Sequence, residues 1–353
     1  MDTWQSRVAR GVPLRNFNAA TAASADATMG GCVSSYVARV AFDPQPPCYS
    51  ADDVGIWLTT DRGNVIPAFH IHRGHAVTVL VSHTNAEDLG KVYEYWALLS
   101  ERLGVNVFGF EYSGYGHATG LPSERNVYSD ARAALARVME THGLVPERDI
   151  VLYGKSIGSC AACYLASRHT FRGIILVSPL ASGARLVSSG NLTAKLADAA
   201  TVVASPFDNL SKLAKSAAPV QLLHGTEDEA IPVRHAKALF DRCAARGLHP
   251  LPPAWIEGAT HNGIETQFAD AHFQCVTAFL RLLKERGGEA ARAPAPAAVV
   301  VLRPEAVEVL GQEAVELEVS DGSLNGSSGR GDQGEISGGD QRTVTALRVE
   351  VRT

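Results

Sequence analysis

The chain has 353 residues, of which 46% are hydrophobic and 20% are charged, enough for one large α/β domain or two smaller ones. Its net charge of −5 gives no electrostatic basis for binding nucleic acid. The sequence has no apolar run of about 18 residues, the length of a transmembrane helix. It has no signal-peptide pattern at its start, and its six cysteines lack disulfide-framework spacing. These features favour a cytoplasmic protein, with any membrane contact at the periphery.

Residues 51–285 are predicted to form the folded domain, because short apolar runs alternate there with segments of helical spacing. Such alternation predicts a mostly parallel central sheet with helices on both faces and ligands at the carboxyl ends of the strands. Strands are predicted at 56–60, 65–71, 76–82, 105–110, 150–153, 173–178, 220–224 and 253–257, the first two antiparallel. Helices are predicted over 89–103, over 127–138, from 157 onward and over 265–284.

Two flanking segments differ in composition from the predicted domain. Residues 1–50 are rich in Ala, Ser and Pro and are predicted to be irregular. Residues 286–353 form an acidic tail rich in Gly, Ser, Ala and Pro, which predicts disorder, with a candidate strand at 343–351. Only about 40 residues separate the predicted strands that end at 178 and begin at 220, so any cap over a site is expected to be small.

The segment 154–158, Gly-Lys-Ser-Ile-Gly, has the G-x-S-x-G pattern of a nucleophile elbow. A predicted strand precedes it and a helix-like segment follows it, which is the context that the chemistry needs. The glycines leave room for a tight turn that projects the hydroxyl of Ser156. Gly-Lys-Ser also ends the phosphate-binding P-loop, but that motif requires glycine where this chain has Asp149.

A serine nucleophile requires a base, and the base requires an acid to orient it. In this fold class the expected chain order is Ser, then Asp or Glu, then His, each in a loop after a strand. Asp228 follows the strand at 220–224 and is the best candidate acid, with Glu227 and Glu229 as runners-up. His261 follows the strand at 253–257 and is the best candidate base.

The oxyanion hole is expected to combine two backbone N–H groups. One belongs to Ile157, directly after the serine. The other comes from the loop at 83–86, where Asn85 is the first candidate and Thr84 the second.

Three polar residues at a strand's carboxyl end are candidates for lining a substrate cleft: Tyr112, Ser113 and Tyr115. The alternative is that Gly114 and Gly116 simply form a tight turn there. For Cys160 and Cys163, two small buried side chains one helical turn apart are favoured over a redox or metal pair.

Six separated motifs, in order, resemble the α/β-hydrolase domain-containing 17 family over about residues 40–283. They lie at 82–90, 111–116, 120–126, 152–158, 178–183 and 224–229. The resemblance implies an α/β-hydrolase fold and a serine hydrolase of long-chain acyl thioesters that depalmitoylates S-acylated proteins. Acyl transfer from the serine to water requires no metal and no organic cofactor, and the expected substrate is an acylated protein or lipid. The alternatives are a carboxylic-ester or monoacylglycerol lipase and a catalytically inactive scaffold.

The sequence departs from that family at three places. Thr84 and Lys155 stand where the family usually has Gly and Gln. We expect Lys155 to point to solvent, the alternative being a preference for anionic substrates. The palmitoylated N-terminal cysteine cluster of animal members is not matched, because this chain has only Cys32 and Cys48 in that region.

Overall fold

The structure is a computed structural model that describes residues 42–187, 206–245, 252–286 and 300–302. Most of the predicted N-terminal segment, residues 188–205 of the predicted cap and most of the tail, including the candidate strand at 343–351, lie outside the described residues.

One twisted sheet organises the described residues, and it contains nine strands in the order β1-β2-β4-β3-β5-β6-β7-β8-β9. β2 pairs antiparallel with β1 and with β4, and all other neighbours are parallel. The strands are β1 Ile56–Thr59, β2 Val65–Ile71, β3 Thr78–Ser82, β4 Asn106–Phe110, β5 Ile150–Lys155, β6 Gly173–Val177, β7 Val220–Gly225, β8 Ala254–Ile256 and β9 Val300–Leu302.

Helices cover both faces of this sheet, as the alternating pattern predicted. They are α1 Leu89–Leu103, α2 Glu124–His142, α3 Pro146–Asp149, α4 Gly158–Ala166, α5 Gly183–Val187, α6 Asn209–Leu213, α7 Arg234–Ala244 and α8 Ala269–Arg286. Side chains alternate across each strand, so Ile150 and Leu152 of β5 enter the core beneath α2 and α4. Val151 and Tyr153 enter the opposite core beneath α1 and α8.

The predicted strands all form, with ends shifted by at most two residues. The last helix begins at Ala269 rather than near 265, because backbone N–H groups of 266–268 bond back to Gly263 O in turns. Residues 300–302 lie within the segment 286–353 that is predicted to be a disordered tail, and the structure describes them as a strand. They are Val-Val-Leu, residues suited to a pleated edge, and they pair in parallel with β8.

Residues 42–50 contain no helix or strand but pack against the domain. Phe42 is buried between the rings of Tyr115 and Phe207. The Cys48 backbone N–H donates to Asp88 Oδ2 at 2.7 Å, and the Tyr49 hydroxyl donates to Glu111 Oε2 at 3.1 Å. Among the described residues, no helix combines the length and the apolar character needed to cross a bilayer.

Candidate active site

The elbow between β5 and α4 holds Ser156 in a sparsely populated backbone conformation. Its φ is 53°, in the left-handed region that side-chain-bearing residues seldom occupy. The Ser156 N–H donates to Val177 O of the neighbouring strand at 2.9 Å, which holds the turn against the sheet. Such strain persists only where the surrounding structure enforces it, and it is typical of functional sites.

The two glycines of the elbow are required by close backbone approach. A Cβ atom on Gly158 would lie 2.1 Å from Ser82 O, at the end of β3. A Cβ atom on Gly154 would lie 2.6 Å from Gly158 O. The start of α4 therefore lies directly against the end of β3, and this brings the elbow next to the loop that follows β3.

Three predicted side chains meet at this elbow. His261 Nε2 lies 3.0 Å from Ser156 Oγ, and His261 Nδ1 lies 2.8 Å from Asp228 Oδ2. Asp228 comes from the loop after β7 and His261 from the loop after β8, so both lie at the carboxyl ends of parallel strands. All three residues are buried, each less than 8% exposed, which excludes most water from this hydrogen-bonded line.

Asp228 is held as a carboxylate by its surroundings. Burial opposes its charge, but hydrogen bonds from His224 and His261 and from the Ile231 N–H outweigh burial and keep the Asp228 pKa well below its usual range. The Ala230 and Ile231 N–H groups donate to Oδ1 at 3.0 and 2.7 Å. The sequence did not point to His224, whose Nε2 lies 3.1 Å from Asp228 Oδ2.

The loop after β3 carries Asn85. No described residue accepts a hydrogen bond from the Ile157 or the Asn85 backbone N–H. The Thr84 N–H instead contacts Glu87 Oε2 at 3.4 Å. The Asn85 side chain is fixed, because its Oδ1 accepts from the Tyr115 hydroxyl at 2.5 Å and from the Asp43 N–H at 2.8 Å.

A buried ion pair supports this loop from behind, and sequence reasoning missed it. His83 Nε2 lies 2.9 Å from Glu111 Oε1, and both side chains are almost fully buried. Burial opposes charge on His83, but the Glu111 carboxylate outweighs it and raises the His83 pKa. Glu111 Oε2 also accepts from the Leu89 N–H at the start of α1. The pair could have been predicted from the sequence, because His83 and Glu111 each directly follow a strand and these two strands, β3 and β4, are neighbours.

The prediction that Tyr112, Ser113 and Tyr115 line a cleft is not what the structure shows, because all three side chains are buried in the interior. The Tyr112 hydroxyl donates to His83 O at 2.7 Å. The Ser113 N–H and hydroxyl both donate to Asp130 at 2.7 Å, and burial raises the pKa of that carboxyl to about 7. All three residues face inward. Tyr112 and Tyr115 brace the loop at 83–86, and Ser113 is held by Asp130 of α2.

The expectation that Lys155 points to solvent was also wrong. Lys155 is 6% exposed, and its Nζ lies 2.5 Å from Glu265 Oε2. Burial opposes the Lys155 charge, but Glu265 and Glu87 outweigh it and raise the Lys155 pKa. These groups line a cavity of about 240 Å³ beside the elbow, together with Thr84 and Tyr95. The lysine therefore joins the elbow to the segment that carries His261.

The predicted cysteine pair lies inside α4. Cys160 and Cys163 are fully buried, and burial raises the Cys160 pKa to about 12. Both are therefore protonated thiols packed in the core.

The chain resembles known proteins both in sequence and in fold. The sequence profile of a family described as serine aminopeptidase, S33 matches residues 74–210, which include Ser156 but not Asp228 or His261. An esterase of Pyrococcus furiosus, Pf2001, superposes with a TM-score of 0.52 at 18% identity, over 68% of this chain and 98% of its own. At that identity the likeness shows the shared α/β-hydrolase fold alone.

Curated relatives are closer in sequence. Alpha/beta hydrolase domain-containing protein 17B of Xenopus laevis is 39% identical over 217 residues, covering 61% of this chain and 71% of the relative. The mouse protein 17C is 42% identical over 188 residues, covering 53% of this chain and 55% of the relative. With its fold and its serine elbow, the chain therefore belongs to the alpha/beta hydrolase domain-containing protein 17 family of serine-hydrolase-type proteins.

Proposed function

We propose that this protein is a serine hydrolase that forms an acyl-enzyme on Ser156. The observation that carries the proposal is the continuous line from Ser156 Oγ to His261 Nε2 at 3.0 Å and from His261 Nδ1 to Asp228 Oδ2 at 2.8 Å. A serine hydroxyl becomes an effective nucleophile only when a base takes its proton and an acid orients that base. This line supplies both partners.

In the first half-reaction, Ser156 Oγ forms a bond to the acyl carbon while His261 Nε2 takes the hydroxyl proton. The negative charge on the carbonyl oxygen is bound by the Ile157 and Asn85 N–H groups, and the partial positive charge at the start of α4 assists. The Asp228 carboxylate stabilises the imidazolium. The bond from carbon to the leaving sulfur or oxygen then breaks, and His261 returns the proton to the leaving group.

In the second half-reaction, water replaces the leaving group. His261 takes a proton from the water as its oxygen attacks the acyl carbon of the ester on Ser156. The bond to Ser156 Oγ breaks, the serine regains its proton, and a fatty acid is released. Each step uses the same base and the same two N–H donors, so the chemistry is complete with the residues of this chain.

For the substrate, we propose long-chain acyl thioesters on S-acylated proteins, cleaved at the cytoplasmic face of a membrane that the enzyme visits peripherally. The support is family membership and the six motifs that carry the resemblance. A thioester suits this site because a cysteine thiol has an ordinary pKa of about 8.5, so it departs readily as a leaving group.

An active-site probe tests the reaction class. A fluorophosphonate should label the wild-type protein at Ser156, and Ser156→Ala should abolish labelling. Ser159→Ala is the matched control, because Ser159 lies in α4, directly after the elbow, and its hydroxyl donates to Ser156 O at 2.6 Å. Folded wild-type protein that remains unlabelled would show that the site is an inactive scaffold.

A substrate panel tests the finer assignment. Rates should be highest on palmitoyl thioesters and lower on monoacylglycerols and short p-nitrophenyl esters. An aminoacyl p-nitroanilide belongs in the panel because of the aminopeptidase profile. A preference for short oxygen esters or for the anilide would defeat the depalmitoylase assignment while leaving the serine hydrolase intact.

A further inference from the structure

Three histidines form a cluster remote from the serine. His70 lies in β2, His72 follows that strand by one residue, and His142 is the last residue of α2. Because strand side chains alternate, His70 and His72 extend from the same face of the chain. The geometry points to a binding site for a divalent transition metal, which we propose is coordinated by these three imidazoles.

The nitrogen positions suit a shared ion. One nitrogen from each ring lies within 4.8 Å of the other two. His142 Nε2 and His70 Nδ1 are 3.1 Å apart. Two nitrogens bound to one tetrahedral zinc at about 2.0–2.1 Å are separated by about 3.3–3.4 Å, so this pair is already close to the required spacing.

The third ligand needs a small adjustment that the structure permits. The His72 ring stacks on the His142 ring with centroids 4.5 Å apart and an angle of 19°. His72 is exposed, and it makes no hydrogen bond to any other described residue. A side-chain rotation can therefore bring its nitrogen toward the other two. Water would then supply the fourth ligand of a tetrahedral ion.

The chemistry of the cluster selects the metal. Three neutral imidazoles favour Zn²⁺, Ni²⁺ or Cu²⁺ over Mg²⁺ or Ca²⁺, which prefer oxygen ligands. His142 also lies at the carboxyl end of a helix of 19 residues, where the helix dipole favours a cation.

The position of the cluster assigns the ion a linking role. β2 runs antiparallel to β4, so Ile71 pairs with Val107 near the start of β4. The cluster therefore lies toward the amino ends of the parallel strands, and Ser156 follows the carboxyl end of β5. A metal there would not touch the hydrolytic site. It would join the end of β2 to the end of α2 through His70 and His142, which are 72 positions apart in the chain.

Titration of the full-length, metal-stripped protein with ZnCl₂ tests the proposal. Calorimetry should detect Zn²⁺ binding to the wild-type protein. His72→Gln and His142→Gln should each abolish this binding or lower its affinity at least about tenfold, because loss of a residue that only supports a metal ligand already lowers metal affinity by that much. His169→Gln is the matched control, because His169 is exposed and outside the cluster, and it should titrate like wild type. Circular dichroism checks that each variant is folded.

Two further readouts report on coordination directly. Co²⁺ should give wild type a visible absorption band typical of a nitrogen-ligated tetrahedral ion, and His72→Gln should lack it. Saturating Zn²⁺ should raise the Tm of wild type more than that of His72→Gln, whereas Mg²⁺ should change neither. Identical Zn²⁺ titrations and Co²⁺ spectra for wild type and His72→Gln would overturn the proposal, leaving only a stacked and hydrogen-bonded histidine group.

Discussion

The contacts of the Asp228 side chain, more than its position in an acidic loop, distinguish it from the neighbouring carboxylates. Glu227, Asp228 and Glu229 are adjacent, but only Asp228 contacts the ring of His261. Glu227 is exposed, and Glu229 accepts from the His261 backbone N–H at 3.2 Å. Sequence order and loop position were enough to rank Asp228 first. The contact of two histidines, His224 and His261, with Asp228 could be found only from the folded structure.

At this site we predict that Asp228→Asn lowers kcat by roughly 10³–10⁴-fold on the best thioester substrate, because an amide stabilises the wrong tautomer of the histidine. Steady-state kinetics measures the loss. Glu227→Gln in the same loop should stay within about twofold of wild type, as is usual for an exposed charge. Equal losses in the two variants would contradict the assignment of Asp228.

At the scale of elements, the Lys155–Glu265 pair connects β5 with the turns that precede α8. Tyr153 of β5 also donates to Glu265, and its hydroxyl lies 3.0 Å from His272 Nε2 of α8. The strand that carries the serine and the segment that carries the histidine are thus held together by buried polar contacts.

Removing one member of this pair should cost more than removing both. We predict that Lys155→Gln and Glu265→Gln each lower the free energy of unfolding by about 3–5 kcal/mol, since each leaves a buried charge without its partner. The double variant should recover a large part of that loss. Urea denaturation of the four proteins gives the coupling energy, and additive single effects would show that the two side chains act independently.

Elements were easier to predict from sequence than the contacts between them. The elbow can be recognised locally, because its strand, turn and helix are adjacent in the sequence from 150 to 166. Its two glycines indicate that backbone segments approach each other closely there. The partner of Lys155 is 110 residues away, and nothing near Lys155 in the sequence indicates it. Tyr112 and Tyr115 were placed at the correct edge of the sheet. Their inward orientation depends on His83 and Asn85, which come from another strand.

At the scale of the whole molecule, buried histidines make stability depend on pH. Burial lowers the pKa of His235 to about 4 from an ordinary value of 6.5, and it does the same to His272. Between pH 6.5 and 4 the unfolded chain binds a proton at each site that the folded protein does not. Each site therefore lowers stability as pH falls, by about 1.4 kcal/mol per pH unit.

We predict that His235→Asn removes one such contribution. The asparagine oxygen can still accept from the Ala181 N–H, which now bonds to His235 Nδ1 at 3.2 Å. From pH 6.5 to pH 5, the stability of the variant relative to wild type should rise by about 1.6 kcal/mol. Urea denaturation at both pH values measures the change. His169→Asn, at an exposed histidine, should show none, and a relative stability of His235→Asn that is independent of pH would refute this account.

The contacts of residues 42–50 limit how far the protein can be truncated from its N-terminal side. Asp43 N–H bonds to the Asn85 side chain and lies 3.0 Å from the Tyr115 hydroxyl, and Tyr49 bonds to Glu111. A fragment beginning at residue 51 would keep every strand and the three residues Ser156, Asp228 and His261. It would nevertheless lose the contacts that hold the Asn85 side chain and the Glu111 carboxylate from outside. A fragment that keeps these contacts, and the Phe42 ring between Tyr115 and Phe207, starts no later than Phe42.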